Sequence, residues 1–170
     1  MTTALYYTTA PSTIGELLLV GNEKGLRFVR LVEGGVETSL AKLGAAYATP
    51  LDGFFDTTLT AIHDYLNGNG PLKLPYDLAG GTPLQRAVWL AMARVPYGET
   101  ISYTTLADRV GFPRAVRAVA SACGANPLPL VIPCHRIVAK DGTLGGFSLG
   151  GVEVKETLLA VENRQKQAAA

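Results

Sequence analysis

The sequence predicts a mixed α/β (α+β) fold in two parts. The first is an N-terminal antiparallel sheet with a helix; the second is mostly helical and holds a helix-turn-helix. Three observations predict this. The first 35 residues are short β-type runs separated by turn residues. Helical segments with start and stop signals follow residue 81. Between them, N-G-N-G-P-L-K-L-P-Y-D-L at 67–78 has the glycines and prolines of a linker. The boundary is placed near residue 80, giving a supporting unit at 1–80 and a working unit at 81–170.

In order along the chain, Leu5–Thr9, Glu16–Val20 and Leu26–Val32 read as strands of an antiparallel meander, separated by A-P-S-T-I-G and G-N-E-K-G. From Phe54 to Leu66, Phe55, Leu59, Ile62 and Leu66 recur at helical spacing, and Asn67-Gly68 stops the helix. The second half opens on Thr82, Pro83 and Gln85: a cap, a proline suited to the first helical position, and a capping-box partner. Leu84, Val88, Trp89 and Met92 line one face, and Val95-Pro96 ends that helix, since the residue before proline avoids helical angles.

Two short helices follow, Ser102–Val110 and Pro113 to about Gly124, joined by a turn containing Gly111. On the second, Val116, Val119, Ala120 and Cys123 are expected to face inward. Arg114, Arg117 and Ser121, with Ala115, Ala118 and Ala122 beside them, make a small-residue face that can approach another surface closely. Residues 125–138 read as extended and proline-punctuated, Asp141-Gly142 as a hairpin turn, and G-G-F-S-L-G-G as a glycine-rich loop. A last helix is expected from about Glu153 to Asn163, with a frayed tail.

Composition narrows the function classes. Nearly half the residues are apolar, so a packed core is expected. No apolar run approaches the roughly 20 residues of a membrane helix, the N-terminus has no signal-peptide pattern, and two cysteines make no disulfide framework. A cytoplasmic protein is expected. The net charge of +1 is unevenly spread. Residues 1–80 hold five Lys/Arg against eight Asp/Glu, and residues 81–170 hold ten against six. Arg109, Arg114, Arg117, Arg136 and Lys140 lie in a 40-residue stretch whose lone acid is Asp108, a pattern that fits contact with a polyanion.

The chemistry concentrates at V-I-P-C-H-R-I-V, residues 131–138. A thiol needs deprotonation to become a nucleophile, and an imidazole can take the proton directly or through a water. Adjacent side chains on an extended strand point to opposite faces. Cys134 and His135 therefore cooperate only if the backbone turns or a water bridges them, and Pro133 makes a turn reasonable. A carboxylate for His135 must come from elsewhere. Zinc needs about four ligands, and two Cys with two scattered His make a metal site unexpected. Cys123 reads as core and His63 as a surface residue.

P-C-H-R at 133–136, with A-N-P at 125–127 and R-A-V at 117–119, resembles the O6-alkylguanine-DNA alkyltransferases. So do G-T-P-L-Q-R-A-V-W at 81–89, P-Y-G-E-T-I-S-Y at 96–103 and V-K-E-T-L-L-A-V-E at 154–162. The resemblance implies a single-turnover methyltransferase. It would repair O6-alkylguanine, and O4-alkylthymine, in duplex DNA by moving the alkyl group onto its own Cys134, with no cofactor. It implies that His135 takes the thiol proton through a water, that Glu162 orients His135, and that Asn126 braces the site. Tyr103 would protonate the base and crowd the phosphate so that the nucleotide turns out, Lys155 would support Tyr103, and Ser148 would contact O6. Arg117 would enter the stack as the damaged base flips, with Ala118 and Ser121 in the minor groove and Arg136 among the DNA-binding residues. The chain is expected to act as a monomer, with cooperative binding along DNA left open.

Departures from the family pattern are Ala120 where glycine is common, Gly124 where some relatives carry a basic residue, Phe147 where tyrosine is frequent, and a Ser148 loop one residue longer than in several relatives. Three other readings compete: a lesion-binding relative without repair activity, a transcription regulator, and a cysteine hydrolase. Cys134 argues against the first, the small-residue helix face against the second, and the lack of an oxyanion-hole motif against the third.

Overall fold

The computed structural model describes residues 3–169. Its first half is a four-stranded sheet in the order β3-β2-β1-β4. The strands are β1 (Tyr6–Ala10), β2 (Leu17–Asn22), β3 (Gly25–Leu31) and β4 (Thr49–Pro50). The first three form the expected antiparallel meander, and β4 adds parallel to β1.

β2 reads L-L-L-V without polar alternation because both faces of the sheet are covered. Leu17 and Leu19 face the main core; Leu18 and Val20 face a smaller cluster with Leu5, Leu40, Ala45 and Ala48. The second face is covered by α1 (Val36–Lys42), a helix the sequence reading does not contain. It starts at Gly35 without a side-chain cap and buries few residues, so its local signals are weak. The expected helix before Asn67 is α2 (Asp56–Leu66), with Ile62, Tyr65 and Leu66 buried. The stretch read as a linker is tied to the sheet edge: Leu26 N donates to Pro75 O (3.1 Å) and Asp77 N donates to Leu26 O (2.8 Å).

The second half holds α3 (Pro83–Met92), α4 (Tyr103–Arg109), α5 (Val116–Gly124) and α6 (Val152–Ala169). The Thr82–Gln85 capping box forms with both of its bonds. Gly81 sits at φ +83°, and an added Cβ would lie 2.6 Å from the Trp89 ring, so only glycine fits there. Ser102 caps α4 through the Thr105 amide. α5 begins at Val116 rather than Pro113, because Pro113 and Arg114 form a turn. α6 continues as helix through Ala169 instead of fraying after Asn163; Ala170 lies outside the described residues.

One continuous core joins the halves: Leu17, Leu19 and Ile62 pack in the same cluster as Val88, Trp89, Met92, Leu106, Val119 and Leu158. Trp89 Nε1 donates to the Ala122 carbonyl at 2.8 Å, which seats α5 on α3. Ala122, expected beside the arginines, is therefore buried at 1% exposure. No helix among the described residues is long and apolar enough to cross a membrane.

Candidate active site

Residues 126–136 are compact turns, not an extended run. Asn126 is fully buried and organises them: its Nδ2 donates to Ile132 O (2.8 Å) and its Oδ1 accepts from Leu128 N (2.9 Å). Leu130 sits at φ 74°, the one non-glycine at positive φ among the described residues, where an L side chain is strained. The N-terminal sheet holds this loop from outside. Val29 N and Arg30 Nη1 both donate to Pro127 O, at 3.1 and 3.2 Å.

Pro133 leads into a 3₁₀ turn over Cys134–Arg136. At about three residues per turn, successive side chains are splayed by about 120°. This resolves the problem posed by adjacent Cys and His, since each serves a different surface. The chain then enters β6 (Ile137–Val138), which pairs in parallel with β5 (Ile101–Ser102). That short sheet sets the start of α4, and hence Tyr103, beside the Cys134 turn. The Asp141-Gly142 turn forms, but between loop segments rather than strands: Ala139 and Thr143 are bonded across it.

Cys134 is 5% exposed and lines a cleft of about 410 Å³. Tyr103, Ala120, Cys123, Phe147 and Ser148 complete its walls. Burial pushes the Cys134 thiol up, while the Asn126 side chain and the positive charges of Lys155 and Arg30 pull it down. Cys123 is core, as expected, but also lies in the cleft wall; burial and the neighbouring Cys134 push it up to about 12. Ser148 is exposed on the loop at the rim.

His135 is fully buried on the other side of the turn. Its Nε2 lies 2.5 Å from Glu162 Oε2, and its Nδ1 has no protein partner. Burial lowers the His135 imidazole, and Glu162 opposes that shift. Glu162 is 1% exposed and also accepts from Arg136 Nε (2.8 Å), Arg136 Nη2 (3.1 Å), Tyr65 Oη (2.5 Å) and Gly98 N (3.1 Å). Burial alone would raise its carboxyl, but the bonds from His135, Arg136 and Tyr65 hold it at about 2.

Arg136, expected among the DNA-binding residues, and Lys155, expected to support Tyr103, are both buried. Arg136 is 8% exposed, and its guanidinium is spent on Glu162, on the Val95 carbonyl (2.7 Å) and over the Tyr97 ring. A guanidinium so enclosed has no face for a phosphate. Lys155 is fully buried, and its Nζ donates to the Ile137 and Leu144 carbonyls at 2.6 and 2.5 Å. It does lie over the Tyr103 ring, 5.7 Å from the centroid. Arg117, Ala118 and Ser121 are exposed together on α5, away from its core face, with Arg114 exposed on the turn before it, while Ala120 is half-buried in the cleft wall. His63 is only partly buried, bonded to the Pro11 carbonyl.

The sequence reading missed Tyr65, which lies in the first half and bonds to Glu162 and, at 3.2 Å, to His135. It also missed Arg30. Tyr65 shows as an apolar-face residue of α2, and its partners lie 70 and 97 residues away, so no local signal marks it.

Two family models match the chain. Residues 83–164 match the 6-O-methylguanine DNA methyltransferase DNA-binding domain, and residues 5–78 match its ribonuclease-like domain. The chain is 40% identical over 169 residues to the bifunctional transcriptional activator/DNA repair enzyme Ada of Escherichia coli K12, covering 96% of this chain and 47% of that protein. It thus spans about half the length of Ada. It is 36% identical over 165 residues to a methylated-DNA–protein-cysteine methyltransferase of Methanosarcina barkeri, covering 93% of this chain and 97% of that one. The crystal structure of Mycobacterium tuberculosis OGT in complex with DNA superimposes with a TM-score of 0.82 at 36% identity, over 94% of each chain. With both halves matched in order and full-length relatives covered almost end to end, the chain belongs to the 6-O-methylguanine DNA methyltransferase family.

Proposed function

We propose that this protein repairs DNA by transferring the alkyl group of O6-alkylguanine to Cys134, once per molecule. The observation that carries the reading is the splayed Cys134–His135 turn. The thiol faces a cleft of about 410 Å³, and the imidazole is locked by Glu162 with Nδ1 unpartnered. Family membership supplies the reaction class.

The thiol is protonated at neutral pH, so its proton must leave as it attacks. His135 Nδ1 receives that proton through a water. The Cys134 sulfur attacks the alkyl carbon, an S–C bond forms, and the C–O6 bond breaks with its electron pair passing to the guanine. Tyr103 donates a proton to the base. Burial raises its hydroxyl, which keeps that proton available, and the Lys155 ammonium beneath the ring stabilises the phenolate left behind. The proton lost from sulfur finally returns through the relay to Tyr103. The products are a thioether and an unmodified guanine. The thioether is stable, so the protein does not turn over.

The target atom lies inside the duplex, so the nucleotide must be turned out. Arg117 on exposed α5 takes its place in the stack, and Ala118 and Ser121 enter the minor groove, about 6 Å wide, where small side chains fit. Ser148 at the cleft rim bonds O6. Residues 1–80 support the 126–136 loop through β3 and Tyr65, and residues 81–170 carry the DNA contacts and the chemistry. The protein acts as a monomer in the cytoplasm, on O6-alkylguanine and also on O4-alkylthymine. The test is a duplex with a single O6-methylguanine, digested after incubation and analysed for guanine. Parent protein restores at most one guanine per chain and Cys134→Ala restores none. Restoration by Cys134→Ala, or multiple turnovers, overturns the proposal.

A further inference from the structure

Both groups that face His135 Nε2 have negative or lone-pair character. Glu162 Oε2 is 2.5 Å away, and Tyr65 Oη is 3.2 Å away. A tyrosine hydroxyl has one proton, and Tyr65 gives it to Glu162 Oε2 at 2.5 Å. Tyr65 therefore turns a lone pair toward Nε2. With two acceptors facing it, Nε2 must carry the ring hydrogen, and in the neutral imidazole Nδ1 is the bare nitrogen. That is the nitrogen with no protein partner.

We propose that Tyr65, delivered by α2 from the N-terminal half, is a positioning residue of the proton relay: its hydroxyl fixes the His135 ring and tautomer so that Nδ1 is the nitrogen that takes the thiol proton. The proposal rests on the alkyl-transfer reading above. It gives the first half of the chain a part in the chemistry beyond scaffolding. The ring is held for this task, edge-on to Tyr97 at 6.2 Å and tilted to His135 at 6.5 Å, and is 1% exposed.

The charged and titratable groups around His135 are Glu162 and Lys155 on α6, Arg136 on its own turn, Tyr65 on α2 and Tyr97 after α3. Of these, Tyr65 and Arg136 donate side-chain bonds to the carboxylate that faces the imidazole. Removing the Tyr65 hydroxyl concentrates the Glu162 charge on His135 and makes the ring more basic. It is then protonated, and unable to act as base, at a higher pH than in the parent.

The experiment is the pH dependence of benzyl transfer from free O6-benzylguanine, comparing the parent, Tyr65→Phe and Tyr97→Phe. Tyr97 is the comparator because its buried hydroxyl has no partner. Tyr65→Phe should slow transfer on the order of 10-fold, as loss of orienting partners does elsewhere. It should move the acidic limb of the profile to higher pH, while Tyr97→Phe leaves both unchanged. ¹⁵N-histidine spectra of the parent, with only two histidines to assign, should show His135 protonated on Nε2. The proposal is overturned by an unmoved limb in Tyr65→Phe, by a rate loss that follows only a loss of folded protein, or by a parent His135 protonated on Nδ1. If the parent transfers no benzyl or methyl group at all, the alkyl-transfer reading fails first and this proposal falls with it.

Discussion

Replacing Glu162 by Gln removes one charge from a carboxylate that accepts five hydrogen bonds, from His135, Tyr65, Gly98 and twice from Arg136. Either orientation of the new amide points an N–H at a donor: at Arg136 Nε and Gly98 N, or at His135, Tyr65 and Arg136 Nη2. Arg136, 8% exposed in the parent, keeps the Val95 carbonyl and one neutral amide oxygen as acceptors but loses its counter-charge. An uncompensated buried charge of this kind costs about 3–5 kcal/mol. For a chain of this size, about 2–4 °C of melting temperature per kcal/mol gives a fall of about 6–20 °C. Calorimetry at pH 7 measures it. The pH dependence adds a second check. The Glu162 carboxyl is lowered in the fold from its ordinary value of 4.5 to about 2. Its stabilisation is therefore fully present above 4.5 and is lost as pH falls toward 2. The gap between parent and Glu162→Gln should narrow over that window. A variant within about 1 kcal/mol of the parent at pH 7 would refute the idea that this carboxylate anchors the buried cluster.

Two further outcomes follow. Arg117→Ala should lose far more transfer on a duplex substrate than on free O6-benzylguanine, because Arg117 is exposed on α5 and absent from the cleft wall; equal losses on both substrates remove it from the flipping role. Alkylation of Cys134, a residue only 5% exposed, should destabilise the protein by about 1–3 kcal/mol, and a benzyl adduct that melts above the free protein contradicts this.

The parts legible in the sequence are those written in local pattern. The Thr82–Gln85 capping box and the turn at Pro133 are each specified within four residues, and each stands where the sequence places it. α1 was hidden because its cap is a glycine and it covers the sheet with little more than Leu40. β4, β5 and β6 are two residues long, below what alternation can signal. At the site, Cys134, His135, Asn126 and Glu162 are brought together as the family resemblance implies. What stayed hidden depends on partners remote in the chain. Arg136 reads as one more cation of a basic stretch until Glu162, 26 residues on, is folded against it. Tyr65 reads as core until its hydroxyl is seen at Glu162, 97 residues away.

The measurement that tests the central claim most directly is the intact mass of the protein after incubation with excess O6-benzylguanine, followed by peptide mapping. The account requires one benzyl group per chain, on Cys134 and not on Cys123, and no adduct in Cys134→Ala. An adduct on another residue, or a parent protein unmodified by both O6-benzylguanine and a methylated duplex, would contradict it.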